Sequence, residues 1–186
     1  RDTGRTAVPC PLRYEEGRYS IDFALLETLA SRRENKALLL CSPHNPVGRV
    51  WTACEVRAMA EIAERYGLFV IADEIHFDLV FPGHTHTSFG TLEGEIAGRT
   101  ILCTAPSKTF NLAGMQTSAV IIKNEEARAK FFANQKKLEI NPKCSILGYE
   151  ATRLAYEKCG GWHDQCLDII YKNYQTCVDF FAKELP

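Results

Sequence analysis

The sequence predicts an α/β protein: a three-layer αβα arrangement around a mostly parallel sheet, followed by long helices. Two observations carry this expectation. Continuous apolar runs at Ala37–Cys41, Leu68–Ala72 and Thr100–Cys103 alternate with segments of helical period, the pattern of strands covered on both faces. From Ser145 onward the period is helical throughout and no further strand pattern follows. A chain of 186 residues, 46% hydrophobic and 24% charged, can also bury the core such layers need.

Each element has its own signal. Phe23, Leu26, Leu29 and Ala30 recur at helical spacing behind Asp22, an N-cap residue. Ala37–Cys41 reads as a fully buried strand running into the turn cluster Ser42-Pro43-His44-Asn45-Pro46-Val47-Gly48. Thr52 and Glu55 form a capping box that opens a helix with Val56, Met59, Ala60 and Ala63 on one side, and Gly67 closes it. Leu68–Ala72 is a second strand, ending at Asp73-Glu74, and a polar loop with His84 and His86 follows. Thr100–Cys103 is a third strand and Thr117–Ile122 a fourth, before a helix that Asn124 can cap. The C-terminal period, through Leu147, Ala151, Leu154, Ala155, Trp162, Cys166, Ile169, Ile170, Val178 and Phe181, is interrupted at Gly160-Gly161, which predicts two helices.

Composition excludes several function classes. With Lys+Arg 22 against Asp+Glu 23 the net charge is −1, and no run of one sign suggests a nucleic-acid groove or a polybasic membrane anchor. The apolar runs fall far short of the ~20 residues of a membrane helix. Arg1-Asp2-Thr3-Gly4-Arg5 lacks both an initiating methionine and a signal peptide's apolar stretch, so the expectation is a piece of a longer, cytoplasmic protein. The eight cysteines form no Cys-x-x-Cys and read as reduced thiols. His84-x-His86 with Asp78 nearby reads as a solvated loop rather than a metal site. Arg49 and Arg99 read as surface charges, Glu74 as structural, and Tyr14 and Tyr19 as partners of the core or of another subunit.

The chemistry belongs at the carboxyl ends of the parallel strands, where such sheets bind ligands. The first strand is followed by Asn45, the second by Asp73, Glu74 and His76, and the third by Thr104-Ala105-Pro106-Ser107-Lys108-Thr109-Phe110-Asn111. A lysine between small residues at a strand end is expected to be poorly solvated, which favours the neutral, nucleophilic amine. A carboxylate on the neighbouring strand can hold a cationic ring nitrogen, and an amide on the next can bond a phenolate oxygen. That trio matches pyridoxal phosphate.

Ser42-Pro43-His44-Asn45-Pro46-Val47-Gly48-Arg49, Ala72-Asp73-Glu74-Ile75-His76 and Ser107-Lys108-Thr109-Phe110-Asn111-Leu112-Ala113-Gly114 resemble fold-type I pyridoxal-phosphate enzymes of the class I/II aminotransferase superfamily. Within it the chain is most similar to the MalY/PatB-type cystathionine β-lyase branch of carbon–sulfur lyases. The features are His76, the Ser-Lys-Thr-Phe-Asn context and Tyr19-Ser20-Ile21-Asp22-Phe23; the likeness extends to Asn141-Pro142 and Gly161-Trp162. The resemblance implies that Lys108 binds the cofactor aldehyde and is catalytic, and that Asp73 pairs with the pyridine nitrogen. Asn45 would contact the phenolate oxygen, His76 the same oxygen or the ring face, and Ser107 the phosphate.

Many aminotransferases carry an arginine where this chain has Gln116, so the phosphate must be anchored largely elsewhere. The family's upstream phosphate turn, ring-stacking aromatic and substrate-carboxylate arginine have no counterpart here. The resemblance therefore implies that residues 1–140 are the central and C-terminal part of the cofactor-binding large domain. Residues 141–186 would be helices leading toward a small domain, and the chain alone would be inactive. The implied activity is β-elimination from L-cystathionine or a related cysteine S-conjugate by a homodimer. The alternatives are an aminotransferase and a pyridoxal-binding module of a transcriptional regulator.

Overall fold

The computed structural model describes residues 4–140 and 145–185; Asn141-Pro142 and Cys144 lie outside the described residues. A small hairpin comes first, β1 (Arg13–Glu15) and β2 (Arg18–Ser20). It turns at Glu16 and Gly17, both at positive φ, as a two-residue loop between right-twisted strands requires. Tyr14 and Tyr19 face each other across it at a ring distance of 4.6 Å.

Helix α1 (Phe23–Ala30) is capped by the Asp22 carboxylate, which accepts from the Leu25 amide. Arg13 also pairs with Asp22, and these bonds hold its carboxyl below the usual carboxylate range. Helix α2 (Ala53–Arg65) begins with the reciprocal Thr52–Glu55 box and ends at Gly67, where φ is +66°.

The main sheet comprises β3 (Ala37–Cys41), β4 (Phe69–Asp73), β5 (Thr100–Thr104) and β6 (Ala119–Ile122), in that spatial order. The β3–β4 and β4–β5 pairs are parallel, and β6 returns antiparallel along β5. The fourth strand therefore starts two residues later than expected. Short helices α3 (Glu95–Arg99) and α4 (Pro106–Thr109) flank β5. After β6 come α5 (Glu125–Lys137), capped by Asn124, then α6 (Ile146–Lys158) and α7 (Gly160–Glu184). The break between the last two is at Cys159; Gly160 and Gly161 are the first residues of α7.

The core lies between α2 and the sheet, where Trp51, Val56, Met59, Ala63, Val70 and Ala72 are almost wholly buried. Trp51 closes it on one side and donates its indole N–H to the Cys41 carbonyl at 3.1 Å. β3 departs from the expected full burial. Leu40 is inside, but Leu39 is 75% exposed, because β3 is an edge strand and nothing among the described residues covers its second face.

Candidate active site

Three strands end level with one another. Cys41 of β3 stands opposite Asp73 of β4, and Asp73 opposite Cys103 of β5. The ladder continues one bond further on each side: Ser42 N–H donates to Asp73 O (2.9 Å) and Glu74 N–H to Cys103 O (2.8 Å). The loop after β3, the loop after β4 and helix α4 thus leave the sheet along one edge, as the alternation of strands and helices predicts.

The first loop is braced by its own backbone. His44 N–H donates to Arg49 O at 2.7 Å and Gly48 N–H to His44 O at 2.9 Å, with Gly48 at φ +69°. Arg49 departs from the surface charge expected from sequence. It is 12% exposed, pairs with Glu55 at 2.7 Å and lies 4.9 Å over the Trp51 ring, which joins the loop to the start of α2. His44 packs edge-on to Trp51, and its burial pushes the imidazole pKa down. Asn45 is exposed at the loop's tip. It shares a cleft of about 360 Å³ with His76, walled by Pro43, His44, Leu79 and Phe81.

Asp73 is half-buried at the end of β4. One carboxylate oxygen accepts the Ile75 amide at 3.1 Å, and no cationic side chain among the described residues pairs with it. The turn-capping role and an open acidic oxygen therefore coexist. Beside it, burial and the Asp73 charge push the Cys103 thiol pKa up, so that sulfur stays protonated.

Glu74 is structural, as expected: 3% exposed, it accepts the Phe89 amide at 2.8 Å and bonds His86 Nε2 at 3.0 Å. His86 corrects the expectation of a solvated loop. Its side chain is 9% exposed and serves as Glu74's partner, whereas His84 is exposed. The local His-x-His pattern could not show this, because the partner lies twelve residues earlier.

Ser107 and Lys108 are the second and third residues of α4, Ser107 half-buried and Lys108 exposed. The poorly solvated amine inferred from the strand-end context is thus not formed by this chain: the small neighbours turn inward, with Ala105, Pro106 and Thr109 buried, and leave the lysine outside. Just before them the Thr104 hydroxyl is buried without a hydrogen-bond partner.

A group of contacts not anticipated from sequence holds α4 in place. The Thr109 hydroxyl donates to Asp78 Oδ2 at 2.8 Å, and the Tyr156 hydroxyl donates to the same oxygen at 3.2 Å. His163 Nε2 bonds the Asp78 carbonyl at 3.1 Å. Phe110 lies edge-on to Tyr156 at 4.9 Å, and burial with the nearby Asp78 charge pushes the Tyr156 hydroxyl pKa up.

The model of the aminotransferase class I and II family matches residues 1–153. The chain belongs to the class I and II aminotransferase family. Among curated members it is 39% identical over 183 residues to cystathionine β-lyase PatB of Bacillus subtilis, covering 98% of this chain and 47% of that protein. It is 34% identical over 174 residues to the protein MalY of Escherichia coli, covering 94% and 44%. Among solved structures, cystalysin from Treponema denticola, which contains a pyridoxal 5′-phosphate cofactor, matches with TM-score 0.95 and 43% identity over 100% of this chain and 47% of that one. The chain spans about half the length of the curated relatives it matches. The family's α/β fold and the lyase-branch likeness read from the motifs both agree with these matches.

Proposed function

We propose that the full-length protein carrying this chain is a pyridoxal-phosphate-dependent carbon–sulfur β-lyase that cleaves L-cystathionine or a related cysteine S-conjugate to a thiol, pyruvate and ammonia. The observation that carries the reading is the common strand edge: an amide, a carboxylate and an amine follow three neighbouring strands, in a chain whose relatives include named cystathionine β-lyases. The residues fit the cofactor. Asp73 keeps a carboxylate oxygen free of any cation among the described residues, Lys108 offers an exposed amine, and Asn45 and His76 share one cleft.

Lys108 would hold the cofactor aldehyde, Asp73 its ring nitrogen, Asn45 its phenolate oxygen and Ser107 its phosphate, with His76 beside the ring. When bound, the group supplies an electron sink for the pair released as the substrate's α-proton departs. The Lys108 amine, in its neutral form, would accept that proton and pass it to the departing thiolate. Asp73 would supply the carboxylate that favours a proton on the ring nitrogen. Loss of the thiolate from Cβ, followed by addition of one water, balances to pyruvate and ammonia.

Residues 1–140 would belong to the cofactor-binding domain and 141–186 would lead to the small domain. Exposed Trp162, Ile169, Tyr174, Phe180 and Phe181 on α7 support further chain or a second subunit packing there, consistent with a homodimer. A cytoplasmic site suits the cysteines, which are free among the described residues.

The test uses the full-length protein, pyridoxal phosphate and L-cystathionine with no 2-oxo acid present. Equal amounts of pyruvate and thiol over many turnovers support the reading, and Lys108→Ala should abolish both, along with the visible absorbance of the bound cofactor. Turnover that begins only when a 2-oxo acid is added makes the protein an aminotransferase instead.

A further inference from the structure

We propose that Asp78 is a positioning residue for Lys108, anchoring the short helix that carries the amine to the loop after β4 and to helices α6 and α7; this rests on the assignment of Lys108 above. A four-residue helix has little internal hydrogen bonding to orient it: Phe110 N–H to Pro106 O, at 2.9 Å, closes its one turn. Its direction must come from outside. Thr109, next to Lys108 and 2% exposed, supplies the attachment through its hydroxyl on Asp78 Oδ2.

Asp78 is itself held from two further elements. Tyr156 of α6 donates to the same oxygen, and His163 of α7 bonds the Asp78 carbonyl, so that three segments distant in sequence converge on one residue. The groups facing Asp78 are hydroxyls and an imidazole, and the other ring nitrogen of His163 lies 3.6 Å from Asp164. No lysine or arginine among the described residues pairs with Asp78. Its side chain works as a double acceptor rather than as half of an ion pair with either. The amide oxygen of an asparagine can do the same.

The experiment therefore compares Asp78→Ala, Asp78→Asn, Thr109→Val and Tyr156→Phe in the full-length protein. In the cofactor-free proteins, hydrogen–deuterium exchange is followed in peptides spanning 105–110 and 159–166, with α2 as the internal reference. Asp78→Ala and Thr109→Val should speed exchange in 105–110 by about tenfold with α2 unchanged, whereas Asp78→Asn should stay near wild type. In the loaded proteins Asp78→Ala should lower kcat by about 10- to 100-fold, as a misdirected amine does, with KM changed by less than about threefold and Asn restoring most of the rate. Unchanged exchange in 105–110, equal acceleration in α2, a loss carried by KM, or an Asn variant as poor as Ala would each overturn the proposal. Borohydride trapping of the cofactor on the wild-type protein, read by mass spectrometry, tests the underlying assignment separately. Trapping at a lysine other than Lys108 sinks that assignment, while the exchange comparison still judges whether Asp78 anchors α4.

Discussion

Glu74 pins both ends of the loop that carries His76 and Asp78, so its removal should be expensive and should reach the site. Its carboxylate accepts the Phe89 amide, fifteen residues on, and bonds His86, with both side chains in the pair nearly buried. Glu74→Ala leaves two buried donors without acceptors, each worth about 1–3 kcal/mol. The total is about 3–5 kcal/mol once relaxation is allowed for. At the ~2–4 °C per kcal/mol of a domain of roughly 150–250 residues, the melting temperature should fall by roughly 6–20 °C. Glu74→Gln separates hydrogen bonding from shape. The glutamine oxygen can still take the Phe89 amide, but its NH₂ then faces His86. The imidazole proton must move to Nδ1, which is buried with no partner. That variant loses one satisfied donor rather than two and should cost about 1–3 kcal/mol. Thermal melts of the three proteins, with exchange measured across residues 74–89, check this. A loss below about 1 kcal/mol for alanine, or a glutamine variant as unstable as the alanine one, would refute the two-donor account.

Thr52→Ala removes the cap and one arm of the box at the start of α2, and should cost about 1 kcal/mol in chemical denaturation without altering cofactor binding. His44 makes stability depend on pH with a definite sign. Burial depresses the folded-state pKa, so the unfolded chain binds more protons below about 6.5, and stability is full above that value and falls as pH drops through it. Melts from about pH 7.5 to 5 should show this slope, and His44→Gln should flatten it. Asp73→Ala should weaken retention of pyridoxal phosphate on dialysis while leaving the melt of the cofactor-free protein nearly unchanged, because among the described residues the Asp73 side chain holds only the Ile75 amide.

What could be read from the sequence was whatever depends on near neighbours. The Asp22, Thr52 and Asn124 caps and the Gly67 terminator are set by residues within a few positions and are found where the pattern puts them, while β4 and β5 each run one residue past the apolar runs Leu68–Ala72 and Thr100–Cys103, to Asp73 and Thr104. The β1–β2 hairpin was missed: Glu16-Gly17 sits between Tyr14 and Tyr19, but three-residue strands are too short for an alternation signal to stand out. Solvation was not legible, because it depends on atoms from anywhere. The apolar run of β3 looks the same whether or not its outer face is covered, and His84-x-His86 looks the same whether one imidazole meets a distant carboxylate or both meet water.

Lys108 sharpens the point. The small residues around it suggested a buried amine, yet it is Ala105, Pro106 and Thr109 that are buried, and Lys108 is left outside. If the amine is to work as a neutral base, its desolvation must come from what covers this edge rather than from the strand that leads to it. Direction, by contrast, is supplied from within, through Thr109 and Asp78. On the proposed assignment of Lys108, the two requirements of a reactive lysine, a dry setting and a fixed aim, would be met by different parts of the protein. Variants at Asp78 should disturb the aim and leave the setting intact.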